Sequence, residues 1–272
     1  MQKFSFHTHS VFSDGKNTVF EMVEQATRLG FEKIGVSDHL SVHKNIIHAP
    51  SYQETKKISH QSFDEVVDIC NKHAEDIRKA EKIYGIKTYV GYEVDYFTYN
   101  GWEEEFKDFL KKIDYDYLIT GNHFLMSQNG EDIFDIWRFS NYSERVPENI
   151  KVYIKRHFET LQKAVRSKLF LFLAHMDYVQ KIKDYRQEDY QQEIDGVVAA
   201  LKETNTASEI STKGIRKFGH FFPSESILEK LIKNDVALII SDDAHSINEL
   251  GSYFDDAEQE LLLLKCNKRL VV

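Results

Sequence analysis

Residues 3–15 read KFSFHTHSVFSDG: a short β-prone run, two histidines one residue apart, then an aspartate before a glycine. Alternate residues of an extended chain point to the same side, so His7 and His9 can present both imidazoles to one ion. The pattern recurs along the chain. Short runs rich in Val, Ile, Phe and Tyr at residues 3–7, 33–37, 87–93, 116–120, 169–174, 207–211 and 236–241 read as strands.

Helical spacing fills the intervals. Residues 18–29 carry Val19, Met22, Val23 and Ala26 on one face and stop at Gly30. Residues 62–84, 143–168, 184–203 and 224–234 also read as helices, the last opened by Pro223 and Ser224. Strands alternating with helices imply a mostly parallel α/β sheet, and about seven such units suit a closed barrel better than an open sheet. Residues 41–60 break the rhythm with three histidines and a proline, and read as a long loop that could act as a lid.

Composition narrows the function. The chain has 272 residues, room for a full core in a single domain spanning 1–272. With 35 basic and 44 acidic residues its formal net charge is -9, a poor match for a nucleic-acid binder. A local metal cluster can still reverse the field inside a pocket, so a small phosphorylated substrate stays compatible. Cys70 and Cys266 form no close-spaced motif and read as idle thiols of a reducing compartment. The first residues lack a signal-peptide pattern, and no apolar run reaches about 18 residues, so the expectation is a cytoplasmic chain without a membrane span.

Placed on the strands, the ionisable residues converge. His7 and His9 end the first strand, with Asp14 following. Asp38 and His39 end the second, and Glu93 and Asp95 the third. His123 follows the fourth, His175 and Asp177 the fifth, and Asp242, Asp243 and His245 the last. In a parallel barrel those carboxyl ends meet on one face. Imidazole and carboxylate together suit zinc, manganese or iron, and no thiolate is offered. There is no GxxxxGK[ST] loop, no GxGxxG after a strand and no Ser-His-Asp arrangement, which disfavours nucleotide-cofactor and covalent chemistry.

The runs FHTHSVFSDG, VSDHL, GYEVDY, GNHF, LAHMD and SDDAH, from Phe6 to His245, resemble in order and spacing the polymerase and histidinol phosphatase (PHP) superfamily. The resemblance implies a distorted, TIM-like (β/α)7 barrel with three divalent transition metals. It assigns His7, His9, Glu93 and Asp243 to the first, and Glu93 as a bridge to a second completed by His123 and His175. Asp14, His39 and His245 fall to the third; relatives often have histidine where Asp14 stands. Asp38, Asp95, Asp177 and Asp242 would support these ligands.

Within the superfamily the histidinol-phosphate phosphatase branch is the most similar. That resemblance implies hydrolysis of L-histidinol phosphate, a step of histidine biosynthesis. Glu93 would be the catalytic metal bridge, with Asp14 or His245 candidates for protonating the leaving group. SEISTKGIRKFGHFFPSESIL places Arg216 as first candidate for the substrate phosphate, with Arg156 of YIKRHFE second. His220 and Phe222 replace what is often an acid and a tyrosine. Two other readings are another PHP phosphoesterase acting on nucleotides or other small phosphate esters, and a non-catalytic metal-binding module. Oligomeric state is not legible from the sequence.

Overall fold

The computed structural model describes residues 2–49, 58–136, 149–182, 185–270 and 272. In chain order the elements are β1 (Phe4–Ser5), α1 (Val19–Arg28), β2 (Lys33–Val42), β3 (Ser59–His60), α2 (Val67–Tyr84), β4 (Lys87–Val94), α3 (Trp102–Leu110) and β5 (Tyr117–Thr120). Then come the hairpin β6 (Phe124–Met126) and β7 (Ile133–Asp135), α4 (Ile150–Arg166), β8 (Phe172–Leu173), α5 (Gln191–Thr204) and β9 (Ala207–Ser211). The chain continues through α6 (Lys213–Phe218), α7 (Glu225–Lys233), β10 (Leu238–Ser241) and α8 (Phe254–Leu263).

Seven strands form the parallel path β1-β2-β4-β5-β8-β9-β10. The two ends of that path meet just beyond β1 and β10: Thr8 bridges Ala244 in parallel, and the His9 amide donates to the Ala244 carbonyl at 2.8 Å. The result is the expected distorted (β/α)7 barrel. All carboxyl ends therefore lie on one rim.

Local chemistry explains the elements. Thr18 and Glu21 form a reciprocal capping box at the start of α1, each satisfying an amide of the other. Val19, Met22, Val23 and Ala26 are the buried face, as their spacing predicts. The run at 62–84 is divided: a 3-10 turn at Phe63–Glu65 precedes α2. The helix expected over 143–168 is described from Ile150 to Arg166, its first residues lying outside the described set.

Among the described residues three helices fall outside the sequence reading: α3, α6 and α8. For α3 the signal was present, since Trp102, Phe106, Phe109 and Leu110 share one buried face. The 41–60 segment is also less loop-like than its composition suggests. Ser41 and Val42 extend β2, and Ser59 and His60 pair beside them as β3. Residues 50–57 of the 41–60 loop expected to act as a lid lie outside the described residues.

Inside the barrel Phe6, Tyr117, Ile119, Phe172, Ala207 and Ile239 form a small apolar floor. The Tyr117 hydroxyl donates to the Phe6 carbonyl at 2.9 Å. Space for the phenol comes from two glycines: a Cβ at Gly35 or Gly91 would lie 2.2 Å from a Tyr117 atom. Gly91→Ala should therefore lower stability by about 1–3 kcal/mol through overpacking. Urea unfolding measures this, and an unchanged midpoint would contradict the packing described.

Candidate metal centre

Six strand ends deliver the cluster to the rim. His7 and His9 follow β1, His39 lies in β2, Glu93 in β4, His123 after β5, His175 after β8, and Asp243 and His245 after β10. Asp14 enters from the β1–α1 loop. All nine residues assigned by resemblance come together. Glu93 is the hub: its Oε2 lies 3.1 Å from His7 Nε2, 3.4 Å from His9 Nε2 and 3.1 Å from His39 Nδ1. Its Oε1 lies 2.8 Å from His175 Nε2 and 3.6 Å from His123 Nε2. Asp243 Oδ1 faces His9 Nε2 at 3.1 Å, and Asp14 Oδ1 faces His245 Nε2 at 3.2 Å and His39 Nε2 at 3.5 Å.

The flanking acids organise the backbone. Asp38 accepts from the amides and hydroxyls of both Ser10 and Ser13, and faces His73 Nε2 at 3.0 Å. It thereby shapes the loop between His9 and Asp14. Asp95 accepts from the His123 amide at 2.6 Å and from the Ser41 hydroxyl. Asp242 accepts from the Ser5 hydroxyl and the Gly251 amide, and Asp177 from the Ser224 amide. Gly121 is required by crowding: a Cβ there would sit 2.2 Å from His175 Cε1 and 2.6 Å from Glu93 Oε1.

Glu209 was missed. Its Oε2 pairs with His7 Nδ1 at 2.9 Å and accepts from the Ser241 hydroxyl, while Oε1 accepts from the His175 amide at 2.7 Å. A carboxylate behind a ring nitrogen selects the tautomer that leaves the other nitrogen free. The signal was available: 207–211 was the one strand given no acid or histidine, yet it reads ASEIS.

Charge is tightly coupled here. Burial opposes ionisation of Glu93, but His7, His123, His39 and His175 outweigh it and hold the carboxyl well below its usual range. Burial likewise opposes protonation of His7, yet Glu93, Asp243 and Glu209 hold its pKa well above the ordinary value. His39 behaves the same way: burial lowers it, Asp14 and Glu93 raise it, and the balance stands at about 9. His9 goes the other way, to about 3, through burial and the neighbouring His245 and His39.

These donors fit metal ions. His7 Nε2, both ring nitrogens of His9, His39 Nδ1, Glu93 Oε2 and Asp243 Oδ1 are buried without hydrogen-bond partners, although they face one another. Ligands about 2.1 Å from one tetrahedral ion stand roughly 3.4 Å apart, the spacing seen across this cluster. Four overlapping donor groups result: His9–Asp14–His39–His245, His7–His9–Asp243, His39–Glu93–His123 and His7–His175–Glu209. They draw on all nine expected residues but divide them differently: His9 joins the Asp14 group, His39 reaches both the Asp14 and the Glu93 groups, Glu93 stands apart from His7, His9 and Asp243, and His175 falls with His7 and Glu209.

Beside Asp14 and His245 opens a cavity of about 570 Å³ whose wall carries Lys16, Lys181, Lys213, Arg216 and Lys217. Arg216 borders it, but its terminal nitrogens are engaged elsewhere: Nη2 with the carbonyls of Asp242 and Asp243, Nη1 with the hydroxyls of Thr212 and Ser252. Lys213, unremarked in the sequence, lies 2.8 Å from Asp243 Oδ2. Arg156 sits on α4 over the Tyr153 ring and is not among the residues of this wall.

Known proteins fit this picture. The PHP domain family matches residues 5–213. A Thermotoga maritima protein named "Probable histidinol-phosphatase" is 24% identical over 263 residues, covering 94% of this chain and 89% of its own. A Deinococcus radiodurans protein of the same name is 25% identical over 182 residues, 63% of each chain. The solved histidinol phosphate phosphatase of Lactococcus lactis, complexed with zinc, L-histidinol and phosphate, matches with a TM-score of 0.71. It is 15% identical and covers 98% of this chain and 95% of that one, a likeness of fold.

Two outcomes follow from the electrostatics. Coordination needs neutral imidazole, so zinc binding to metal-free protein at pH 7 should release about two protons, from His7 and His39. Because the His39 value is raised, affinity should climb as pH rises toward about 9 and fall below it. Calorimetry in buffers of different ionisation enthalpy measures this, and binding without proton release would contradict it. Glu209→Gln should weaken metal affinity roughly 10–100-fold while leaving the circular dichroism unchanged; unaltered affinity would remove Glu209 from this role.

Proposed function

The chain belongs to the PHP domain family, and from that premise we propose that it is a metal-dependent phosphatase hydrolysing L-histidinol phosphate to L-histidinol and phosphate. The observation that carries this is the contact between two opposite fields. A buried cluster of carboxylates and imidazoles, suited to cations, opens directly onto a cavity walled by five cationic side chains. Such a junction suits a phosphate monoester with its phosphoryl group toward the metals. The names of the two curated relatives support histidinol phosphate as the ester. In this reading residues 1–272 form one PHP-type domain of a cytoplasmic enzyme, and none of the described helices is long and apolar enough to cross a membrane.

His7, His9, Glu93 and Asp243 would hold one ion, Glu93, His123 and His175 a second, and Asp14, His39 and His245 a third, as zinc, manganese or iron. When bound, these ions supply an activated water and positive charge to offset that of the phosphoryl oxygens. The chain's own groups do the rest. Glu209 fixes the His7 ring and Asp95 the His123 ring, so the donors are oriented before substrate arrives. Asp14, on the cavity wall beside His245, keeps a second carboxylate oxygen beyond the one that faces His245 Nε2 at 3.2 Å, and that oxygen is placed to hold or pass the proton that the departing alkoxide takes. Arg216 holds the Asp242–Asp243 backbone and through it the position of the Asp243 carboxylate.

One observation favours a second reading, a more anionic phosphate ester such as a nucleotide. Among the described residues the cavity wall offers two acids, Asp14 and Glu249, against five cations, whereas histidinol carries an amine and an imidazole. A panel of L-histidinol phosphate, nucleoside monophosphates and single-stranded DNA, assayed with zinc or manganese, separates these. We expect L-histidinol phosphate to give the highest kcat/KM, and His123→Ala to abolish at least 99% of turnover, roughly the loss expected when a metal-positioning group goes. Preference for a nucleotide would favour the second reading; near-wild-type turnover by His123→Ala would contradict the metal assignment.

A further inference from the structure

The geometry points to Lys213, seconded by Lys181, as the group that receives the substrate phosphoryl oxygens, in the place that sequence resemblance reserves for Arg216. The inference rests on the phosphatase reading above. It starts from what Arg216 cannot do. Its two terminal nitrogens already serve two carbonyls and two hydroxyls. Turning the guanidinium to a ligand would release the backbone that carries Asp243.

Lys213 is differently disposed. It stands three residues before Arg216 on the same short helix, so both side chains leave one face. Its ammonium touches Asp243 at 2.8 Å, and the side chain is 17% exposed on the wall of the cavity. An ammonium has three donors. One directed at Asp243 leaves two for an anion entering beside the cluster, and the ion pair fixes where they point.

Lys181 lines the same cavity. Its nitrogen lies 3.4 Å from the centroid of the Tyr178 ring. That ring in turn packs against His123 and His175, each at 4.9 Å. One aromatic ring therefore separates Lys181 from the imidazoles, and Tyr178, Lys181 and Lys213 share the cavity wall. Burial first, and then the positive charge of Lys213, push the Lys181 pKa down to about 6. An anion bound beside Lys213 offsets both causes of that shift, so its arrival favours the protonated, cationic form of Lys181. A cavity of about 570 Å³ accommodates a small phosphate ester.

The alternative role for Lys213 is to neutralise Asp243 alone, and the test separates the two. Inorganic phosphate is titrated into the zinc-loaded protein by calorimetry, with bound metal counted by mass spectrometry, for wild type, Lys213→Met, Lys213→Arg and Lys181→Met. The expected result is phosphate affinity weakened roughly 10–100-fold in Lys213→Met with metal content intact, partial recovery in Lys213→Arg, and a smaller loss in Lys181→Met. KM for L-histidinol phosphate should rise in parallel. Unchanged phosphate affinity in metal-replete Lys213→Met overturns the proposal. If Lys213→Met sheds metal, Lys181→Met decides: weakened phosphate binding supports the anion site and unchanged binding overturns it. Phosphate binding is read without turnover. Wild-type protein that binds phosphate through Lys213 but leaves L-histidinol phosphate intact therefore refutes that substrate and keeps the site.

Discussion

The carboxylate of Glu93 is the constraint on which the rest of the rim depends. It is 1% exposed, and burying an anion so completely is tolerated only where positive partners surround it. Five histidines from four other strand ends approach within 3.6 Å of its oxygens. They come from residues as far apart in sequence as His7 and His175. Only a closed ring of parallel strands brings such donors to one point, which is why the Thr8–Ala244 bridge matters to the chemistry as well as to the fold. Gly121 is the complementary requirement, since the nearest backbone must approach Glu93 and His175 without a side chain.

Around this hub each support is a buried carboxylate with its own donors. Asp38 gathers two serines and His73, Asp95 gathers Ser41 and His123, and Glu209 gathers His7, Ser241 and the His175 amide. Several of the coordinating atoms, among them His7 Nε2, His9 Nε2, His39 Nδ1 and Glu93 Oε2, are left facing one another without hydrogen bonds, and protons on His7 and His39 balance part of the negative charge. Divalent ions can replace those protons.

Much of this was legible in the sequence because strand ends are where a parallel barrel keeps its reactive groups. His7, His9, His39, Glu93, His123, His175, Asp243 and His245 could each be placed by strand position, and Asp14 by its loop. Glu209 lies in the middle of its strand and not at the end, so its sign was the less direct one that 207–211 otherwise contributes no acid or histidine. Arg216 and Lys213 show another limit. Residue type and spacing bring three cations of TKGIRK to one wall, but which of them is already engaged depends on where the carbonyls of Asp242 and Asp243 come to rest. Among elements, α3 was missed although its apolar spacing was clear. The β3 pairing was invisible because two residues carry no period.

The chain is acidic overall, yet its cationic wall stands where an anionic substrate would meet the metals, so the relevant charge is local. The most direct measurement of the central claim is anomalous diffraction from crystals grown with zinc, recorded on both sides of the zinc edge. Zinc peaks are expected inside the nine-residue cluster: among His7, His9 and Asp243, beside Glu93, His123 and His175, and among Asp14, His39 and His245. A well-folded crystal with no anomalous peak within that cluster would contradict it.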